Sequence, residues 1–183
     1  MGLKGRRVSV NGTGALAAHC IALLAAEGAE LLDAEADLRS CDTLVAIAPH
    51  AADMAALQDL DDATTFGAWE HVTDLAAQCR TASAGMAERG YGRIVWVGPL
   101  ETKLTRDDPA ADLDAVVGLG ALGLLKAMAG ELGPDGVTCN SVLWDGRDME
   151  AAGAAVVFFA SEASSYVSGT ALSVDGGQSG SVF

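Results

Sequence analysis

The sequence predicts an α/β domain built on a parallel β-sheet with helices on both faces, and three observations carry that prediction. Short apolar runs with β-branched residues recur at 8–10, 43–47, 94–97, 137–142 and 171–174, with a shorter candidate at 30–32. Between them lie segments with helical spacing of apolar residues, at 16–27, 69–88, 113–132 and 150–161. The third observation is punctuation: Gly28 follows the first helix, Gly90 the second, and Gly133-Pro134-Asp135-Gly136 the third. Strands that alternate with helices pack as a parallel sheet between two helical layers.

The chain has 183 residues and a mass of 18.5 kDa, a single-domain size at which folding buries roughly 70% of the surface of the unfolded chain. Half the residues are apolar but only 5% are aromatic, so the core is expected to be made of Ala, Val and Leu in tight contact. No linker and no internal repeat divides it, and the polar stretch 101–112 reads as a surface loop between a strand and a helix.

Eleven basic side chains against 25 acidic ones leave a net charge of −14. That charge repels phosphates and anionic lipid, so no nucleic-acid partner and no membrane partner is expected. It serves solubility, or an acidic face docking on a basic partner. Cys20, Cys41, Cys79 and Cys139 show no CxxC spacing and read as small buried residues of a reducing, cytoplasmic compartment. The start MGLKGRR runs straight into VSVNG without a signal-peptide stretch, and no run is read as approaching the roughly 20 apolar residues of a membrane span.

The third helix carries Gly118, Gly120, Gly123 and Gly130, each costing about 1 kcal/mol relative to Ala in a helix interior. Either the helix breaks near Gly118 to Gly120, or small residues there allow close approach of another element or subunit.

Gly12-Thr13-Gly14-Ala15-Leu16-Ala17 follows a strand and opens a helix, satisfying the loose GxGxxG/A dinucleotide pattern. Asp33, 21 residues beyond Gly12, stands near where a ribose-binding carboxylate belongs. A simple strand-to-helix turn explains the same residues, because a chain with 22 glycines produces GxG by chance.

Several blocks in order resemble the short-chain dehydrogenase/reductase family. They are Gly92-Arg93-Ile94-Val95, Gly123-Leu124-Leu125-Lys126-Ala127, Glu131-Leu132-Gly133-Pro134 and Gly136-Val137-Thr138-Cys139-Asn140. The most specific is the final stretch, from Val156-Val157-Phe158-Phe159-Ala160-Ser161 through Tyr166-Val167-Ser168-Gly169 to Val174-Asp175-Gly176-Gly177. The resemblance covers nearly the whole chain and implies a doubly wound, Rossmann-like parallel sheet, shortened relative to the family, as one domain over 1–183.

The family's chemistry needs a Tyr that moves a proton to or from the substrate oxygen and a Lys four residues on that lowers the Tyr pKa and holds the ribose. The three lysines are Lys4, Lys103 and Lys126, and Pro99 and Leu122 stand four residues before the latter two, so no Tyr-x-x-x-Lys exists. Anchored on the Gly-Leu-Leu-Lys block, the resemblance places Asp114 at the Tyr and Gly118 at the Lys. The polarising serine falls at Pro99 and the helix asparagine at Ala76. Only Asp114 could exchange a proton, and within the run Asp107, Asp108, Asp112, Asp114 it reads as a solvated carboxylate at a helix N-terminus. No catalytic residue is therefore expected.

The cofactor contacts are rewritten too. Counted back from Glu27-Gly28-Ala29, the family's phosphate-loop glycines fall on Asn11, Ala15 and Ala17, and its Asn-Asn-Ala-Gly becomes Ala46-Ile47-Ala48-Pro49. Between Leu32 and Asp42 there is room for neither the helix nor the strand with which the family builds its adenine pocket. After Val142, Leu143-Trp144-Asp145 replaces the usual Pro-Gly, and the chain passes almost directly into the last helix where the substrate-binding loop belongs. Set against the family, the length is a deficit of several tens of residues.

His19, His50 and His71 are scattered, Glu70 and His71 point to different helix faces, and no metal site is expected. No Gly-x-Ser-x-Gly elbow or P-loop is present. Trp96 and Trp144, at the C-terminal ends of strands, read as core or plug residues rather than stacking platforms.

The leading expectation is a non-catalytic subunit that pairs with an active short-chain dehydrogenase. A hydroxyacyl-CoA dehydrogenase is one candidate, a heterotetramer the expected assembly, and the partner rather than this chain is expected to hold NAD(P). The alternatives are an oxidoreductase that binds NAD(P) through Gly12, Gly14 and Asp33 with non-standard acid–base groups, and a ligand-sensing module with a remodelled pocket.

Overall fold

The computed structural model describes residues 2–49, 61–103 and 111–177, without the side chains of 64, 101, 103 and 111–114. Six strands form one sheet: β1 (Arg7–Asn11), β2 (Glu30–Leu31), β3 (Thr43–Ile47), β4 (Gly92–Pro99), β5 (Val137–Trp144) and β6 (Ala171–Val174). Their order is β2-β1-β3-β4-β5-β6 and every pairing is parallel. The helices are α1 (Gly14–Ala26), α2 (Asp62–Arg89), α3 (Ala111–Leu132) and α4 (Met149–Ala160). The expected α/β class and doubly wound sheet are both present.

Strand side chains alternate between two cores, as a sheet covered on both faces requires. Leu44, Ala46, Ile94, Trp96, Cys139 and Leu143 pack with Leu75, Cys79 and Met86 of α2 and Ala121 and Leu125 of α3. Val8, Val45, Val95, Val97 and Val142 pack on the other side with Leu16, Cys20 and Leu24 of α1 and Val156 and Phe159 of α4. The core is aliphatic and cysteine-rich, as the composition demands.

The ends of the helices follow the glycines. After α1, Gly28 takes φ +89°, donates to the Ala25 carbonyl at 2.9 Å, and lets Ala29 donate to Leu24 at 3.1 Å, a Schellman closure. Asp148 caps α4 by accepting from the Ala151 N–H at 2.9 Å. Helix α2 begins seven residues before the expected start at 69, because Asp62 favours the helix N-terminus and a Thr-Thr-Phe-Gly stretch hides the periodicity.

Between β2 and β3 the chain makes a turn and one 3-10 helix, Leu38–Ser40, and nothing longer. That crossover is seated on α2. A Cβ on Gly85 would lie 2.0 Å from the Arg39 carbonyl oxygen, so the helix meets bare backbone there. Arg89 donates to the carbonyls of Arg39 and Cys41, and Arg39 pairs with Glu88.

Two expectations change. The segment 101–112 is not simply a surface loop: it opens with a 3-10 helix, Leu100–Lys103, in which Thr102 is buried, while Asp107 and Asp108 lie outside the described residues. Ala115–Asp135 is also long and apolar enough to cross a membrane by length and composition, although no such run was expected. Its hydropathy comes from Ala, Val and Leu, and its inner face packs on β5 and α2. The helix is unbroken through its glycines: Gly118 abuts Thr102 and Gly120 abuts Trp69, while Gly123 and Gly130 face open space.

Gly85→Ala is expected to destabilise the fold by about 2 kcal/mol, the cost of overpacking against backbone that cannot rotate away. Denaturant melts compared with the exposed-site control Ala63→Ser, expected to change stability by less than about 0.5 kcal/mol, check it. The four cysteines are free and buried. Burial pushes the thiols of Cys20 and Cys41 up to about 11 and those of Cys79 and Cys139 up to about 12, against 9.0 for an unburied thiol. The fold favours the neutral thiols, so their contribution to stability is intact below pH 9 and is lost as pH rises from 9 towards 12. Urea midpoints measured across that range should fall, and those of a quadruple Cys→Ala variant should fall less.

Candidate functional site

In this topology the chain leaves β1 towards β2 on one side and β3 on the other, and ligands of such sheets bind outside the strand C-termini at that reversal. Two clefts open there. A cleft of about 210 Å³ lies on the α2/α3 face, bounded by Asn11, Ile47, Leu75, Gln78, Trp96 and Gly118. A second, of about 500 Å³, lies between the first turns of α1 and α4, bounded by Gly14, Leu16, Val97, Trp144, Asp145 and Met149. Ile47, Ala48, Pro49 and Pro99 border both clefts.

The glycine loop forms the floor between them. Gly12 has φ +156° and no room for a side chain, because a Cβ there would stand 2.7 Å from the Ile47 Cβ. Gly14 has φ +87° and open space beside it. Thr13 caps α1 without a side-chain hydrogen bond, so the first N–H groups of the helix have no donor-satisfying hydroxyl. Asp33 is exposed two residues beyond the end of β2, the strand paired with β1. Asp33 borders neither cleft, and Leu32–Asp42 adds only its single 3-10 turn.

The positions that resemble the family's catalytic set fall at the end of β4 and on α2 and α3. Pro99 ends β4 and Gly118 lies on α3, and both border the smaller cleft. Ala76 sits on α2 next to Leu75 of the same cleft, and Asp114 falls in the first turn of α3. A side chain at Gly118 would be crowded: a Cβ would stand 2.1 Å from the Thr102 Oγ1, so Thr102 would have to shift. The Thr102 hydroxyl is itself buried without a partner.

Trp96 is a plug, as expected: it is buried, and its ring covers Gly98 so closely that a Cβ there would lie 2.0 Å away. Trp144 is half-buried, lines the larger cleft, and has a buried indole N–H without a partner. His19 faces Gly153 of α4, 3.5 Å from Glu150, while His71 stands at the rim of the smaller cleft; His50 lies outside the described residues. Among the described residues no three His, Cys, Asp or Glu gather as metal ligands.

Reading the sequence missed the polar end of the smaller cleft. Asn11 donates to the Gln78 Oε1 at 2.9 Å, and Ser9 donates to the Asn11 Oδ1 at 3.3 Å. His71, Asp74 and Gln78 have i, i+3, i+7 spacing, which puts them on one face of α2 and was the available signal.

Gly118→Ala should cost about 2 kcal/mol through its clash with Thr102, and Thr102→Ala should recover most of that loss in the double variant. A thermodynamic cycle from urea melts measures the coupling, and additivity would show that the contact is not tight.

No family model matches the chain. Among curated proteins it is 30% identical to nodulation protein G of Azospirillum brasilense, over 52% of this chain and 48% of that one. It thus spans about half the length of that relative. It is 29% identical to the (2S)-[(R)-hydroxy(phenyl)methyl]succinyl-CoA dehydrogenase subunit BbsC of Thauera aromatica, over 87% of this chain and 73% of that one. Among solved structures it superposes on a short chain dehydrogenase/reductase family protein with TM-score 0.83 and 24% identity, covering 97% of this chain and 98% of the other. A gluconate 5-dehydrogenase from Burkholderia cenocepacia, in complex with NADP and tartrate, superposes with TM-score 0.83 and 16% identity, covering 99% and 98%. The chain therefore has the Rossmann-like fold of short-chain dehydrogenases and reductases.

Proposed function

We propose that this chain is a non-catalytic subunit that pairs with an active, NAD(P)-dependent short-chain dehydrogenase and stabilises or completes it. The observation that carries the reading is the state of α3. The helix on which the family's Tyr and Lys would stand offers Asp114 and Gly118, the latter crowded by Thr102. On its outer side the same helix exposes Val116, Leu119, Gly123, Ala127 and Gly130, three and four residues apart on one stripe. Phe66 and Trp69 of α2 extend the patch, with Phe66 71% and Leu119 58% exposed. Such a contiguous apolar face is the signature of an interaction surface.

The charge of −14 favours a partner of different composition over a second copy, because two such chains repel each other. BbsC, at 29% identity, is by its name a dehydrogenase subunit, which supports pairing and makes a hydroxyacyl-CoA dehydrogenase a reasonable partner. On this reading NAD(P) belongs to the partner, and a heterotetramer follows if each partner contributes two copies.

A second reading, an NAD(P)-binding oxidoreductase with non-standard acid–base groups, rests on Gly14, whose open, positive-φ backbone lies beneath the larger cleft, and on Asp33 beyond β2.

Co-expression with a candidate active short-chain dehydrogenase should yield a complex that co-purifies through size exclusion. Leu119→Asp should abolish it while changing the stability of the isolated chain by less than about 0.5 kcal/mol, since the side chain is exposed. A complex indifferent to this change, or a chain that stays a soluble monomer beside the candidate, contradicts the proposal.

A further inference from the structure

We propose that a row of buried polar side chains at the N-terminal ends of β3, β4 and β5 binds one small monovalent anion, of the size of chloride. Thr43, Arg93 and Thr138 are register partners on these three strands, so their side chains stand side by side on one face of the sheet. Val45, Val95 and Val142, an even number of residues further along the same strands, mark that face as the one covered by α1 and α4. The three residues are 0%, 3% and 7% exposed. Each has a buried polar atom that meets no hydrogen-bond partner among the described residues: the Thr43 Oγ1, the Arg93 Nε and the Thr138 Oγ1. Native interiors seldom leave one such atom unpaired, and here three adjoin.

The charge of Arg93 is only partly compensated. Its Nη1 donates to the Gly92 carbonyl at 2.8 Å, and its Nη2 reaches the Glu162 carboxylate at 3.4 Å. Glu162, in the 3-10 turn that follows α4, is 59% exposed and binds Arg6 more closely, at 3.0 Å. Both guanidinium groups also lie over the Tyr91 ring, Arg6 at 3.5 Å and Arg93 at 4.4 Å from its centre. Two cations therefore share one carboxylate and one aromatic ring, and a buried charge without full compensation is costly.

These features select the ligand. The Nε–H and both hydroxyls can donate, and a monatomic anion accepts from all of them, whereas a water accepts two hydrogen bonds and brings no charge. One negative charge balances the one left over, and the burial of all three atoms suits a single ion rather than a phosphate. The row lies at the opposite end of the strands from the glycine loop and both clefts, and it depends on neither reading of function.

Crystals of the full chain grown in sodium bromide and measured at the bromine absorption edge test the site. An anomalous peak in hydrogen-bonding contact with the Arg93 Nε is expected. In solution, chloride should raise the urea midpoint relative to gluconate at equal ionic strength. Thr43→Val and Thr138→Val keep the side-chain shape and remove a hydroxyl, and each should weaken chloride about tenfold, the loss of one hydrogen bond to a charge. A hydroxyl with no ion beside it would instead make both substitutions stabilising to the same extent in either salt. Substitutions on two separate strands keep the test decisive if one variant does not fold. Water density without anomalous signal, a bromide peak with no chloride response in solution (an adventitious ion only), or an undiminished response in the variant that folds would each overturn the proposal.

Discussion

The carboxylate of Asp42 holds together the point on which the whole sheet turns. It accepts the Arg7 N–H at 3.0 Å, pairs with the Arg7 guanidinium at 3.3 Å, and pairs with Arg89 of α2 at 3.3 Å. Its backbone N–H donates to the Arg7 carbonyl at 2.7 Å and its carbonyl accepts from the Arg93 N–H at 3.0 Å. One buried residue thus joins the starts of β1, β3 and β4 to the end of α2. A buried carboxylate with several donors is costly to disrupt, because loss of any partner leaves a charge without compensation. The direct passage from β2 to β3 is possible because this clamp, and the bare backbone contact at Gly85, secure a crossover with no long helix of its own.

That arrangement fixes where the clefts lie. The reversal of strand order places Asn11, Gly12 and Pro49 at the rim of the smaller cleft, while α2 closes over it through Leu75 and Gln78. Helix α3 lies alongside, and its two sides have different surroundings. Inward, Gly118 lets the helix sit against Thr102; outward, Val116 and Leu119 are exposed and Gly123 and Gly130 face open space. The glycines that weaken the helix as an isolated element are repaid by close approach on the inner side. On the outer side Gly123 and Gly130 have nothing within 4 Å, consistent with approach by another chain.

Strand positions and the parallel sheet were legible because strands buried on both faces are continuous apolar runs, such as Leu44-Val45-Ala46-Ile47. Helix ends were legible wherever a glycine closes them, as at Gly28 and Gly90. The contacts that decide the site were not. Thr102 sits in a polar segment that reads as solvent-exposed, and only the packing of α3 shows that it fills the space beside Gly118. Gln78 meets Asn11 across 67 residues of sequence, a distance over which no local pattern carries information. Asp42 likewise reads as an ordinary acidic residue before a strand, until Arg7 and Arg89 converge on it.

The central claim is that the chemistry belongs to a partner while this chain supplies a surface. Titrating NADH and NADPH into the purified chain, and into its complex with the candidate dehydrogenase, addresses it most directly through nucleotide fluorescence. The account predicts no saturable change with the chain alone and saturable binding to the complex, with a stoichiometry matching the partner's copies. Saturable binding to the isolated chain, abolished by Gly14→Val or Asp33→Ala, would contradict it.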